Sequence, residues 1–66
     1  MHFGKSIKIA LLKSNMTKPQ LAAILGIHQS GISHMANRDS TSTKNLVRVA
    51  KAFGLKVSEF VALGED

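Results

Sequence analysis

Residues that end helices recur so often in this chain that no long helix can form. Asn15, Gly26, Asn37 and Gly54 divide it into short segments, each residue suited to the left-handed or irregular backbone at a helix end. Between these stops apolar residues repeat at three and four positions, the helical period. No alternating run of β-branched and aromatic residues bounded by turn pairs occurs, so strands are not expected. The first helix is predicted from about Gly4 to Ser14, with Phe3, Ile7, Ala10, Leu11 and Ser14 on one face and Lys5, Lys8 and Lys13 off it. Ile9 and Leu12 lie off that stripe too; they either widen the apolar face, the favoured reading, or form an exposed contact patch. The second helix opens with Thr17 as N-cap, Pro19 in the first turn and Gln20 as the capping-box partner, and closes at Gly26. It buries Leu21, Ala22, Ile24 and Leu25. The third begins after Ile27 and turns Ile32, Met35 and Ala36 inward; Asn37 closes it, and residues 38–43 form a polar loop. The fourth, capped by Ser42 or Thr43, buries Leu46, Val49, Ala50 and Phe53 and stops at Gly54. A fifth, about Val57 to Ala62, adds Val57, Phe60 and Val61. Such short helices cannot make a long bundle; the expected fold is an all-α orthogonal cluster around one core.

At 66 residues the chain is expected to be one domain, residues 1–66. A chain of that size buries only about 60% of its unfolded surface, which leaves a thin core. It has no cysteine, so disulfides, thiolate metal sites and thiol nucleophiles are out, and a reducing compartment is expected. Its apolar runs are too short for a membrane span or a signal-peptide core. The formal charge of +5 is unevenly placed. Residues 1–38 carry Lys5, Lys8, Lys13, Lys18 and Arg38 and no carboxylate, whereas residues 39–66 sum to zero. That asymmetry points to a polyanion, nucleic acid before membrane surface.

The most specific pattern lies in residues 18–37. A short helix with a small residue one turn in, Ala22, is followed by a glycine turn at Gly26 and by Ile27. A second helix then buries Ile32 and Met35. Ala22 lets two helices cross closely, Gly26 takes a positive φ, and Ile27, Ile32 and Met35 lock the second helix so that its other face is free. This is the helix-turn-helix pattern, whose second helix enters the DNA major groove. The stretch TKPQLAAILGIHQSGISHMAN resembles the helix-turn-helix of the phage repressor and Cro type. NLVRVAKAFGLKVSEF resembles that family's fourth and fifth helices, and FGKSIKIALLKSNMT its first. The resemblance covers essentially the whole chain and implies a five-helix, lambda-repressor-like domain.

The resemblance also implies roles. Lys18 and Gln20, at the start of the second helix, would contact a phosphate, as helix starts favour anions in any case. Gln29, Ser30, Ser33 and His34 share one face of the third helix and would read base edges: Gln bonds adenine N6 and N7, Ser pairs with several edges, and His donates to guanine. Without the surrounding motif the same four would be no more than the soluble side of a helix. Asn37, Arg38 and Lys44 would grip the backbone, surface solubility being the plain alternative. Lys56, Val57, Glu59 and Phe60 fall where the family forms its dimer contact.

Three departures from the family pattern stand out. His28 occupies the N-cap of the third helix, where Ser or Thr is usual, and histidine is a poor cap, so a start that is frayed or else stabilised by DNA is expected. Gly31 sits inside that helix at a cost of about 1 kcal/mol relative to Ala, either to let the backbone approach DNA, the favoured reading, or as tolerated drift. Ala36-Asn37-Arg38 replaces an acidic-Asn-Gly turn, which puts in doubt the ion pair some relatives make there.

Catalysis is not expected. Ser33 and His34 are adjacent and diverge on a helix, and no carboxylate is placed to orient them. No phosphate-binding glycine loop occurs, and His28 and His34 are wrongly spaced to share a metal. No cofactor or small-molecule ligand is implied. The expected function is a sequence-specific transcriptional regulator, a Cro-like repressor of phage or bacterial type. Its partner is a double-stranded operator, bound by a homodimer that forms on DNA, in the cytoplasm or nucleoid. The alternative is an antitoxin-type module that neutralises a protein partner, although the sequence has no segment beyond the five helices for a toxin to grip.

Overall fold

The computed structural model describes residues 2–38 and 40–65; Asp39, in the expected polar loop, lies outside them. Among the described residues there are five helices and no strand: α1 (Phe3–Lys13), α2 (Lys18–Leu25), α3 (Gln29–Ala36), α4 (Thr43–Ala52) and α5 (Val57–Leu63). α1 packs on α3 and α5, α2 packs on α3 and α4, and α4 closes on α5.

Three helices stop in the same way. Asn15 (φ 54°), Gly26 (φ 70°) and Gly54 (φ 69°) each take the left-handed conformation. The next amide then reaches back five residues: Met16 N–H donates to Leu11, Ile27 to Ala22 and Leu55 to Ala50, at 2.9, 3.0 and 2.9 Å. These are Schellman caps, and the residue after each stop is apolar because it folds back on the helix it has just left.

The core is built from Phe3, Ile7, Leu21, Ile32, Val49 and Phe60, all fully or almost fully buried. All three phenylalanines meet: Phe60 stands edge-on to Phe3 and stacks on Phe53, with ring centroids 6.0 Å apart in both pairs. Such arrangements add to area burial. They tie α1, α4 and α5 together beneath the helix-turn-helix.

Several sequence expectations are corrected. Ser14 is the exposed C-cap of α1 and not part of its buried stripe. Leu12 is 81% exposed, so it does not widen the apolar face, whereas Ile9 is half-buried. Ile24 is 56% exposed, whereas Leu21 and Ala22 of α2 are buried and Leu25, half-buried, packs against the core. Phe60 is 0% exposed, so it belongs to the monomer's own core and offers nothing to a second copy. Glu59 bonds within its own helix, its Oε1 accepting from the Lys56 amide at 3.0 Å.

The start of α1 has no side-chain cap. Its need is met from across the fold: Gly4 N–H donates to the Arg38 carbonyl at 2.7 Å. The approach is so close that a Cβ on Gly4 would run into the Ala36 and Arg38 carbonyls. Gly64 is packed as tightly against the Ser6 hydroxyl and the His2 carbonyl. That hydroxyl is buried without a hydrogen-bond partner. Gly4→Ala should therefore cost about 1–3 kcal/mol through overpacking. Ser6→Ala should be neutral or stabilising by no more than about 1–3 kcal/mol, since it removes an unsatisfied buried group. Urea midpoints of the two variants check both signs; a Gly4→Ala protein as stable as the parent would show that the close approach does not constrain the fold.

Candidate nucleic-acid interface

The start of α2 is organised by a complete capping box. Thr17 Oγ1 accepts from the Gln20 amide at 3.3 Å, and Gln20 Oε1 accepts from the Thr17 amide at 2.8 Å. The cap occupies the oxygen of the Gln20 side chain, so its remaining polar group is the NH2, a donor of the kind a phosphate needs. Lys18 is exposed in the same first turn.

The start of α3 differs from the expected frayed end. His28 caps it: Nδ1 accepts from the Ser30 amide at 3.1 Å and lies 3.0 Å from Ser30 Oγ. An accepting Nδ1 places the ring proton on Nε2. The cap therefore fixes the tautomer, and it engages the Ser30 side chain as well as its backbone. This role was missed in the sequence because histidine is not among the favoured capping residues.

Along α3 the inner and outer faces separate cleanly. Ile32 and Ala36 are buried and Met35 is half-buried, whereas Gln29, Ser30 and His34 are exposed and Ser33 is half-buried. Ser33 thus sits at the edge of the outward face. Gly31 is half-buried beneath Ile27: a Cβ added there would come within 3.1 Å of Ile27 Cδ1. That contact gives Gly31 a reason inside the protein, beside the expected close approach to DNA. Ile27 itself is 39% exposed, so its packing on the helix is partial.

Beyond α3, Asn37 and Arg38 are exposed, and the Arg38 carbonyl is pinned to Gly4. Ala36 is buried and carries no charge, so it offers no acid for the ion pair some relatives make there. Ser42 Oγ caps α4 by accepting from the Asn45 amide at 3.3 Å, with Lys44 exposed in the first turn. Arg48, not singled out from sequence, donates to the Leu25 carbonyl at 3.2 Å and so caps the end of α2 from α4.

Charge follows a rule along these helices. The first turns of α1, α2, α3 and α4 contain no acidic residue, and only α5 has one, Glu59. Lys18 and Lys44 instead stand at the positive ends of the α2 and α4 dipoles. Each placement is unfavourable by roughly 0.3–1 kcal/mol in the isolated protein and is relieved by an anion.

The family comparison agrees with this geometry, a helix-turn-helix model matching residues 7–60. The chain belongs to the helix-turn-helix family of the phage repressor and Cro type. With membership comes a general function, that of a DNA-binding transcriptional regulator. No curated protein matches the chain. Among the described residues of this helix-turn-helix protein, no group of three or more His, Cys, Asp or Glu side chains could hold a metal ion, and no helix is long and apolar enough to cross a membrane.

The cap at the start of α3 can be tested directly. His28→Ala should lose about 1 kcal/mol, a fall in melting temperature of about 4–8 °C for a domain of this size. His28→Asn, which restores a short acceptor, should recover most of it. Equal melting temperatures for all three proteins would show that the His28 bond contributes nothing to the fold.

Proposed function

We propose that this protein is an operator-specific repressor of the Cro kind, bound as a pair of copies to an inverted repeat. The observation that carries the reading is the exposed polar face of α3, Gln29, Ser30 and His34, set opposite the fully buried Ile32. Gln29, Ser30, Ser33 and His34 read base edges in the major groove. Lys18, Gln20, Asn37, Arg38 and Lys44 hold the phosphates on either side. The longest extent of the fold is 26 Å, shorter than the roughly 34 Å between successive half-sites on one face of the duplex. One copy therefore reads less than a turn, and tight binding calls for two. Lys56, Val57 and Glu59 form the surface through which the copies meet. Repression follows from covering promoter DNA.

The exposed Leu12 is the feature that favours the second reading, a module that binds and neutralises a protein partner. That reading predicts a stoichiometric protein complex and no sequence-specific duplex binding. Selecting bound sites from a random duplex pool separates the two: an enriched palindromic site supports the repressor, and a pool without enrichment overturns it.

Within a selected operator, Gln29→Ala should lose discrimination at one or two base pairs, about 1–3 kcal/mol each, while scrambled DNA binds as before. An equal fall on operator and scrambled duplex would remove Gln29 from base readout. Lys18→Ala and Lys44→Ala should instead weaken all duplexes alike and reduce the salt slope by about 1. A slope identical to that of the parent would take the residue off the phosphate surface.

A further inference from the structure

A cleft of about 460 Å³ separates the start of α1 from the turn after α3. Its walls carry Lys5, Lys8, Asn37 and Arg38, and Gly4 and Ala36 lie between them. Among the described residues no carboxylate lines it. Lys5 and Lys8 are three apart on α1, which puts them on the same side of the helix, where like charges repel. Arg38 brings a third positive charge from the opposite wall. The two walls are held in register by backbone, through the bond from Gly4 N–H to the Arg38 carbonyl at 2.7 Å. The cationic heads therefore extend from rigid elements.

The proposed function uses Asn37 and Arg38 on its phosphate surface but leaves Lys5 and Lys8 without a role. The cleft makes that surface continuous with α1. We infer that the cleft takes a backbone phosphate of the bound duplex, distinct from the one at the start of α2, with Lys8 joining Arg38 as its principal cations. The inference rests on the duplex-binding reading and extends its footprint. The contact carries no base information, since a phosphate presents the same oxygens at every step. It adds affinity and register.

The experiment measures duplex affinity against salt for the whole chain, for Lys8→Ala and for Lys51→Ala, a control on α4 outside the cleft. Lys8 is exposed, so an unchanged thermal melt is the folding check. Lys8→Ala should bind operator and scrambled duplex less tightly by the same factor. Its salt slope should be shallower by about 0.9, so that between about 50 and 200 mM salt it loses about 3.5-fold less affinity than the parent. Lys51→Ala should keep the parental slope. In ethylation interference on the operator, the parent should show a phosphate position that Lys8→Ala no longer shows. Parental binding with an unchanged Lys8→Ala slope and interference pattern would overturn the cleft assignment alone. No duplex binding by the parent would overturn the proposed function, and the cleft assignment with it.

Discussion

The hydrogen bond from Gly4 N–H to the Arg38 carbonyl joins the beginning of the chain to the exit of the recognition helix. α1 lacks a side-chain cap, and the first amides of a helix have no partner within it; the turn after α3 has a carbonyl to offer. Each supplies what the other lacks, at 2.7 Å. The close approach is possible because Gly4 has no side chain to meet the Ala36 and Arg38 carbonyls. Since α1 is anchored behind it by Phe3 against Phe60, the turn that carries Asn37 and Arg38 is referred to the aromatic core. A turn held that way keeps the Arg38 backbone in place.

The charge distribution has a cost in the free protein. Four helix starts without an acid, three of them carrying a lysine in the first turn, forgo the usual favourable pairing with the helix dipole. In a domain whose net stability is only about 0.05–0.15 kcal/mol per residue, those increments matter. They are recovered where a polyanion lies across the helix starts. The acid-free first 38 residues therefore combine lower intrinsic stability with readiness to bind phosphate.

Local chemistry was the legible part of the sequence. Thr17 and Gln20 announced a capping box, Asn15, Gly26 and Gly54 announced helix stops, and the three- and four-residue spacing picked out Phe3, Ile7, Ile32 and Val49. What could not be read was which face has a neighbour. Ile24 follows the helical period as well as many core residues do, and Leu12 is as apolar as they are, yet both are mostly exposed. The helical spacing places Phe60 with the core residues and the family analogy places it at a dimer contact; the core uses all three aromatic rings of the chain, Phe60 among them. The candidate site was legible for the same local reason: the pattern across residues 18–37 separates buried Ile32 from exposed Gln29 and Ser30. The Lys5 and Lys8 cleft was not, because its two walls are some 30 positions apart in sequence and meet only through tertiary structure.

α3 has 8 residues, a length at which an isolated helix does not persist in water, and it carries a glycine inside. Its order is imposed from outside. The stop at Gly26 folds Ile27 back by its bond to Ala22. Ile27 then lies over position 31, where an added Cβ would come within 3.1 Å of Ile27 Cδ1, so a larger residue there would press on Ile27. Glycine at this position carries a propensity cost of about 1 kcal/mol relative to Ala. His28 closes one end of the helix through Ser30, and the Arg38 link to Gly4 holds the turn beyond the other. A helix fixed at its entrance, middle and exit loses little conformational freedom on binding, which favours the base contacts proposed for α3.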